Sequence, residues 1–303
     1  YIVSEGAEST SVGSNNGPIR TYIKVEEPSG LDPNIVQDKQ ITIKNYIKTT
    51  TSTDNNPIVD YVYFDGLGRK FENVIKGVSG ETSADLVTLT EYDAAGNKTK
   101  EWLPIVNSGQ GESVNPDVFK GVNSTKTGYY NADDYVYAET IYESMSSGRA
   151  SEQFGSGADW RIAGKRTTTS YETNPTSDVV IFQVDISGGL KKNSFYDGNT
   201  LYKNTVVDED GKSVSEFKDY LDRVVMTRSM INGQEVNTYY VYNDLNQLCY
   251  VLSPEGSDIL ENLSGTVTPV KNSTNQFSKA LYDFCYQYKY DDHGNCIEKK
   301  LPG

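Results

Sequence analysis

The 303 residues hold 28 Lys and Arg against 42 Asp and Glu, and the net charge of -14 argues against nucleic acid or an anionic membrane surface as a partner. The length suits two ordinary domains or one large all-β domain. Tyrosine (23 residues) outnumbers both leucine (15) and phenylalanine (9), a balance that favours half-exposed pleated sheet over helical core.

Residues 1–17 are rich in Ser, Gly, Glu and Asn and read as a polar tail or linker. An N-terminal β region follows over 18–104, with strand-like alternation at 20–26 and 40–50, a turn at 52–56, and a strand over 57–64. A second hairpin runs from Leu86 to Pro104. Residues 105–160 read as a non-repeating insertion, with a short helix opened by Asn115-Pro116-Asp117 and a strand within 134–143. A C-terminal β region spans 161–303, with strands at 161–172, 178–186 and 191–207 and then quick hairpins to Pro254. Residues 255–263 read as a short helix with Ile259, Leu260 and Leu263 on one side, and 277–284 as a helical turn before the last hairpin. The predicted fold is all-β, with repeated antiparallel β-hairpins in a long twisted or spiral sheet and one or two short helices.

A short signature recurs along the chain. An Asp or Asn is followed, three residues on, by Gly, Asn or Asp. Asp65 leads to Gly68, Asp93 to Gly96 and Asp208 to Gly211. Asp219 leads to Asp222, Asn243 to Asn246 and Asp291 to Gly294. Those third residues tolerate positive φ, and the leading side chain can accept a backbone N–H two residues on. The pattern predicts type I turns closed by a left-handed residue in a G1 bulge. Aromatics alternate before the turns, at Tyr61 and Tyr63, Tyr240 and Tyr242, and Phe284, Tyr286, Tyr288 and Tyr290. Pro104, Pro254 and Pro302 each fall eleven residues beyond a leading Asp or Asn, where a residue without an N–H would close the return strand.

Tyr61-Val-Tyr-Phe-Asp65-Gly-Leu-Gly-Arg69, Glu91-Tyr-Asp93-Ala-Ala-Gly-Asn97 and Tyr288-Lys-Tyr-Asp291-Asp-His-Gly-Asn295 resemble the tyrosine-aspartate (YD) repeats of the Rhs family and its teneurin and insecticidal-toxin relatives. The likeness is looser at Phe217-Lys-Asp219 and Tyr242-Asn243. With the closing Glu298-Lys-Lys-Leu-Pro-Gly303, the order resembles the uncharacterised segment before the Rhs core in large surface or secreted proteins of Gram-negative bacteria, over roughly residues 45–303. The resemblance implies hairpins wound into a spiral sheet, a secreted or cell-surface location, and the rest of a longer chain (Rhs core and C-terminal region) as the partner. It brings no catalytic residue, and six repeats are too few for a closed shell. The chain starts at Tyr1 without a signal sequence, as a segment of a longer protein would.

Catalytic constellations are scarce. His293 is the single histidine and belongs to a turn, which leaves no multi-histidine metal site. Cys249, Cys285 and Cys296 form neither a CxxC pair nor a disulfide framework, and read as small buried hydrophobes. Asp133-Asp134 invites a glycosidase reading, but adjacent strand residues point to opposite faces. Asp208-Glu-Asp-Gly-Lys212 has its glycine at the fourth place of a calcium loop, not the sixth. Gly66-Leu-Gly68 and Gly155-Ser-Gly157 lack the third glycine and following helix of a phosphate cradle.

No catalytic, cofactor or metal residue is therefore assigned. The leading expectation is a non-enzymatic structural segment building a β-sheet shell or stalk that carries or presents a C-terminal region. The alternative is a carbohydrate-binding surface module, with Trp102 and Trp160 stacking on sugar rings. No apolar run reaches the ~18 residues of a membrane span.

Overall fold

The computed structural model describes strand residues 9–11 and 19–23 and residues 45–303, apart from 52–56, 80–83, 109–110, 124–129, 131–132 and 145–146. Most of the segment 1–17, and the turn expected at 52–56, lie outside the described residues. The fold is mostly antiparallel β, with 49 % strand against 11 % helix. The chain divides into two compact units, Tyr1–Arg166 and Thr167–Gly303.

In the first unit, β1 (Ser9–Ser11), β2 (Ile19–Ile23), β3 (Asn45–Thr51), β4 (Ile58–Phe64), β5 (Lys70–Ser79) and β6 (Ala84–Tyr92) form a meander in which each strand pairs with the next. β7 (Lys98–Trp102) and β8 (Ile105–Asn107) then pair with the two halves of β6. Pro104, lacking an N–H, splits what would otherwise be one return strand. β9 (Tyr137–Tyr142) joins the other edge of β7, and β10 (Ala150–Phe154) joins β9.

Cross-strand rows make the core of this unit. Tyr61, Val74, Val87 and Ile105 face one another across four strands, as do Tyr46, Tyr63, Glu72 and Leu89. Helix α1 (Pro116–Asn123) closes this face with the fully buried Phe119. It starts where the sequence asks, with Asn115 Oδ1 accepting the Asp117 N–H at 2.8 Å and Pro116 in the first turn. The loop before it is pinned from below by two buried carboxylates. Asp85 accepts the N–H of Gly111 (2.6 Å), and Glu72 accepts that of Val114 (2.7 Å) and the Ser113 hydroxyl. A Cβ on Gly111 would lie 2.4 Å from the Tyr61 ring, so only glycine fits there.

In the second unit the main sheet runs β11 (Thr167–Thr173), β14 (Tyr202–Val207), β15 (Ser213–Lys218), β16 (Val224–Ile231), β17 (Gln234–Tyr242), β18 (Leu248–Leu252), β20 (Cys285–Tyr290) and β21 (Cys296–Lys300). β12 (Val180–Val184), β13 (Leu190–Phe195) and β19 (Thr266–Val267) make a separate small sheet. One register row, Phe217–Met226–Tyr239–Leu252–Cys285, crosses five strands, each member no more than 2 % exposed. Phe182 and Leu190 of the small sheet, Leu260 of α3 (Pro254–Leu260) and Leu281 of α4 (Gln276–Asp283) complete this core.

Several expectations are corrected. Among the described residues four short helices form, not one or two. The expected strand at 161–172 begins only at Thr167, because residues 158–162 are helix α2 (Ala158–Ile162). Tertiary contacts decide this: Asp133 Oδ2 accepts the Ala158 N–H, and the Arg161 guanidinium packs 3.9 Å from the Phe154 ring centre. Gly155-Ser-Gly157 therefore does precede a helix, a five-residue one. The strand expected over 191–207 breaks at Asp197-Gly198-Asn199, sending its halves to different sheets, with Asn199 left-handed at φ 63°. Cys249 and Cys285 are buried as expected, whereas Cys296 is exposed. Burial pushes the Cys285 thiol up to about 12 and raises that of Cys249. A thiol reagent at pH 8 should therefore modify one cysteine of three, Cys296, which peptide mass mapping would identify.

Candidate functional site

The residues singled out by the repeat belong to one structural device. At Asp65 the Gly68 N–H donates to the Asp65 carbonyl (3.0 Å), Gly68 is left-handed at φ 78°, and the Asp65 N–H donates to the Arg69 carbonyl (2.9 Å). This is the expected type I turn with a G1 bulge. Asp65 Oδ1 accepts the N–H of Leu67 and of Arg69, both at 2.9 Å, and Oδ2 accepts Arg69 Nε at 2.7 Å.

The same backbone pattern recurs at the other five places. Gly96 (φ 94°) donates its N–H to the Asp93 carbonyl at 3.1 Å, and Gly211 (φ 79°) donates to that of Asp208 at 3.0 Å. Asp222 (φ 60°) donates to Asp219, Asn246 (φ 61°) to Asn243 and Gly294 (φ 84°) to Asp291, each at 3.0 Å. These closing residues do not gather into a ligand site. Gly96, Gly211 and Gly294 contribute backbone geometry alone, and the exposed Asp222 carboxylate lies 3.5 Å from Lys218 Nζ of its own hairpin. The fourth residue beyond the lead is always a donor side chain, and Asn97, Arg223 and Asn295 return to the leading carboxylate as Arg69 does.

A seventh such turn leads from Asp185 to the left-handed Gly188, with Oδ1 accepting the N–H of Ser187 and Gly189. Its Asp-x-x-Gly spacing is the same signal, but a single aromatic, Phe182, precedes it in place of an alternating pair.

Five of the hairpins share a further feature that the sequence did not disclose. Tyr63 faces Glu72 while Phe64 faces Lys70, so Phe71 is an extra residue, a second bulge six places after Asp65. Thr99, Val225, Cys249 and Ile297 occupy the same place after Asp93, Asp219, Asn243 and Asp291. The Asp208 hairpin has no such bulge, and its turn lies at the opposite end of β15 from the Asp219 turn. In the second unit the two kinds of turn therefore lie at opposite ends of the main sheet. Within the stretch read as an insertion, Tyr142-Glu143 leads a longer turn closed by Arg149, with the extra residue at Ser151.

At four of these turns the residue just before the lead is a tyrosine that reaches back to the preceding hairpin. Tyr92 donates its hydroxyl to the Lys70 carbonyl (2.6 Å), Tyr142 to that of Lys98 (2.9 Å), Tyr242 to that of Val224 (3.1 Å) and Tyr290 to that of Leu248 (2.9 Å). Each acceptor is the fifth residue after the previous leading Asp or Asn. Arg69 and Arg223, at the fourth place, lie over the Tyr92 and Tyr242 rings at 4.6 and 5.0 Å. Within each unit, two pairs of successive hairpins are thus stapled together. Tyr242→Phe should cost about 1 kcal/mol in urea unfolding, the contribution of one such bond. Tyr220→Phe, at a position 83 % exposed, should leave the midpoint unchanged.

Turn hydrogen bonds hold several carboxyls below their usual range. The largest cause is the Arg69 N–H at Asp65, the Asn97 side chain at Asp93, the Ser187 side chain at Asp185 and the Asn295 side chain at Asp291. A folded-state pKa below the unfolded one gives stability complete above pH ~4 and lost as pH falls through the lower folded values. Acid unfolding should therefore lie below about pH 4, and Asp93→Asn should flatten that limb of the stability-versus-pH curve.

The other candidates separate in space. Asp133 bonds the Tyr135 N–H through Oδ1 and the Ala158 N–H through Oδ2, so it and Asp134 form no facing pair. Trp102 is half-buried, donating Nε1 to Glu91 Oε1 (2.7 Å) with its ring 4.8 Å from Tyr137 and 6.2 Å from Phe119. Trp160, on α2, is 53 % exposed. His293 is exposed, and its backbone N–H bonds Asp291 Oδ1 (2.9 Å). An open recess of about 880 Å³ lies between the turns led by Asp185, Asn243 and Asp291. All three leading side chains are already bonded within their own turns. Among the described residues no group of three His, Cys, Asp or Glu side chains is placed to hold a metal ion, and no helix is long and apolar enough to cross a membrane.

Residues 38–173, a little under half of the chain, match a family described as a domain of unknown function (DUF6443). No curated protein matches the chain.

Proposed function

We propose that this chain is a non-enzymatic structural segment of the Rhs or YD-repeat kind, set in a large secreted or cell-surface protein, where its hairpins build part of a β-sheet shell or stalk carrying a C-terminal region. One observation carries the reading: the signature residues are consumed by structure. The leading Asp or Asn side chains are engaged inside their turns, and four tyrosine hydroxyls join one hairpin to the next. A residue set used this way supports structural repetition and leaves little for a substrate. The test is to fractionate the source cells and treat intact cells with protease. The reading expects the parent polypeptide outside the cytoplasm, longer than this segment, with a further domain after it. A cytoplasmic parent would overturn the proposed location, and a parent with no further domain would overturn the carrier role.

Carbohydrate binding at Trp160 is a second reading, supported by the 53 % exposure of that ring. It expects a glycan-array signal that Trp160→Ala removes. A blank array rejects it.

A further inference from the structure

β21 pairs with β20 along one edge, and among the described residues no strand pairs with its other edge. Cys296 to Lys299 are all exposed. A free row of backbone N–H and C=O groups is a template for another strand. Two positions say which kind of strand. The carbonyl five places after the lead residue accepts the next hairpin's tyrosine at Lys70, Lys98, Val224 and Leu248. Cys296 stands at that place after Asp291, and among the described residues no tyrosine hydroxyl reaches its carbonyl. The bulge residue at the sixth place is half-buried at Phe71 and Thr99 and buried at Val225 and Cys249, hairpins that all have a successor. Ile297, at the same place in the last hairpin, is 66 % exposed.

We infer that the open edge of β21 is the docking surface for one further hairpin strand of the same polypeptide, carrying a tyrosine one residue before an Asp- or Asn-led turn. Its hydroxyl donates to the Cys296 carbonyl, and the strand covers Ile297. The inference rests on the repeat reading above and adds the register and chemistry of the missing neighbour. Edge-to-edge pairing of two copies through β21 does not satisfy it, since residues 296–300 contain no tyrosine.

The test extends the full chain after Gly303 by a flexible Gly/Ser linker of about 12 residues and a second copy of residues 236–253, and follows amide hydrogen exchange of residues 296–300. The extension should slow exchange there at least tenfold. Tyr242→Phe in the appended copy should return about fivefold of that protection, one neutral hydrogen bond, and Ile297→Asp should remove most of it. Unchanged exchange on extension overturns the inference, as does protection indifferent to both substitutions, or protection already present in an unextended dimer. The repeat reading fails on a different result, an unaltered stability for Tyr242→Phe within the chain itself.

Discussion

Asp219→Ala is expected to lower the unfolding free energy by about 3 kcal/mol, the largest effect among the turn-leading residues. Asp219 is 4 % exposed and accepts the N–H of Leu221 (2.9 Å) and of Arg223 (3.0 Å), while Arg223 Nε and Nη2 approach its second oxygen at 2.8 and 2.6 Å. Alanine leaves two backbone donors and a partly buried guanidinium without that acceptor. Arg223 also donates to Asn246 (2.6 Å) and lies over the Tyr242 ring, so the damage reaches the next hairpin. Asp208→Ala removes two comparable backbone bonds at a turn whose lead is half-buried and whose other residues are exposed, with neither bulge nor staple, and should cost about 1 kcal/mol. Urea unfolding of the two variants checks the contrast, and equal losses would mean that burial of the turn does not set its contribution.

Phe119→Ala should cost about 4 kcal/mol, because the ring is fully buried and its removal leaves a cavity between α1 and the sheet. The Trp102 ring loses its edge-on partner, and Val114 loses its neighbour in the same cluster. Hydrogen exchange should accelerate in β4 to β8 and stay slow in β15 to β18, whose core is a separate cluster of residues. Val118→Ala, one residue away at 58 % exposure, should change stability by no more than about 0.5 kcal/mol. Uniform acceleration across both units would show that they unfold as one.

Tyr92 and Tyr61 show how far periodicity could be read. Spacing of two identified Tyr61 as a strand residue before a turn, and the Tyr-Asp pair did the same for Tyr92; both are. Their uses differ: Tyr61 belongs to a core row against Val74 and Val87, whereas Tyr92 lies across the start of a neighbouring strand with its hydroxyl on Lys70. Which use a tyrosine takes depends on which face a second layer covers. Glu72 makes the same point. A glutamate is seldom buried without partners, yet this one is 1 % exposed because the loop at 111–114 folds over it and brings donors.

The turns and the all-β class were legible in the sequence, since they rest on local chemistry: an Asp or Asn that bonds its own turn and a residue that accepts positive φ. The sequence also contained the seventh turn at Asp185. Only the tertiary structure decided that Asp208 turns at the other end of the sheet, that a second bulge follows five of the turns, and that the tyrosines join successive hairpins. Those features depend on strand register and on neighbours 18 to 44 residues away in the chain for the four staples. Local spacing carries no record of such partners. The physical reason is that a turn satisfies its own backbone groups, while a strand edge and a tyrosine hydroxyl must find theirs on another strand.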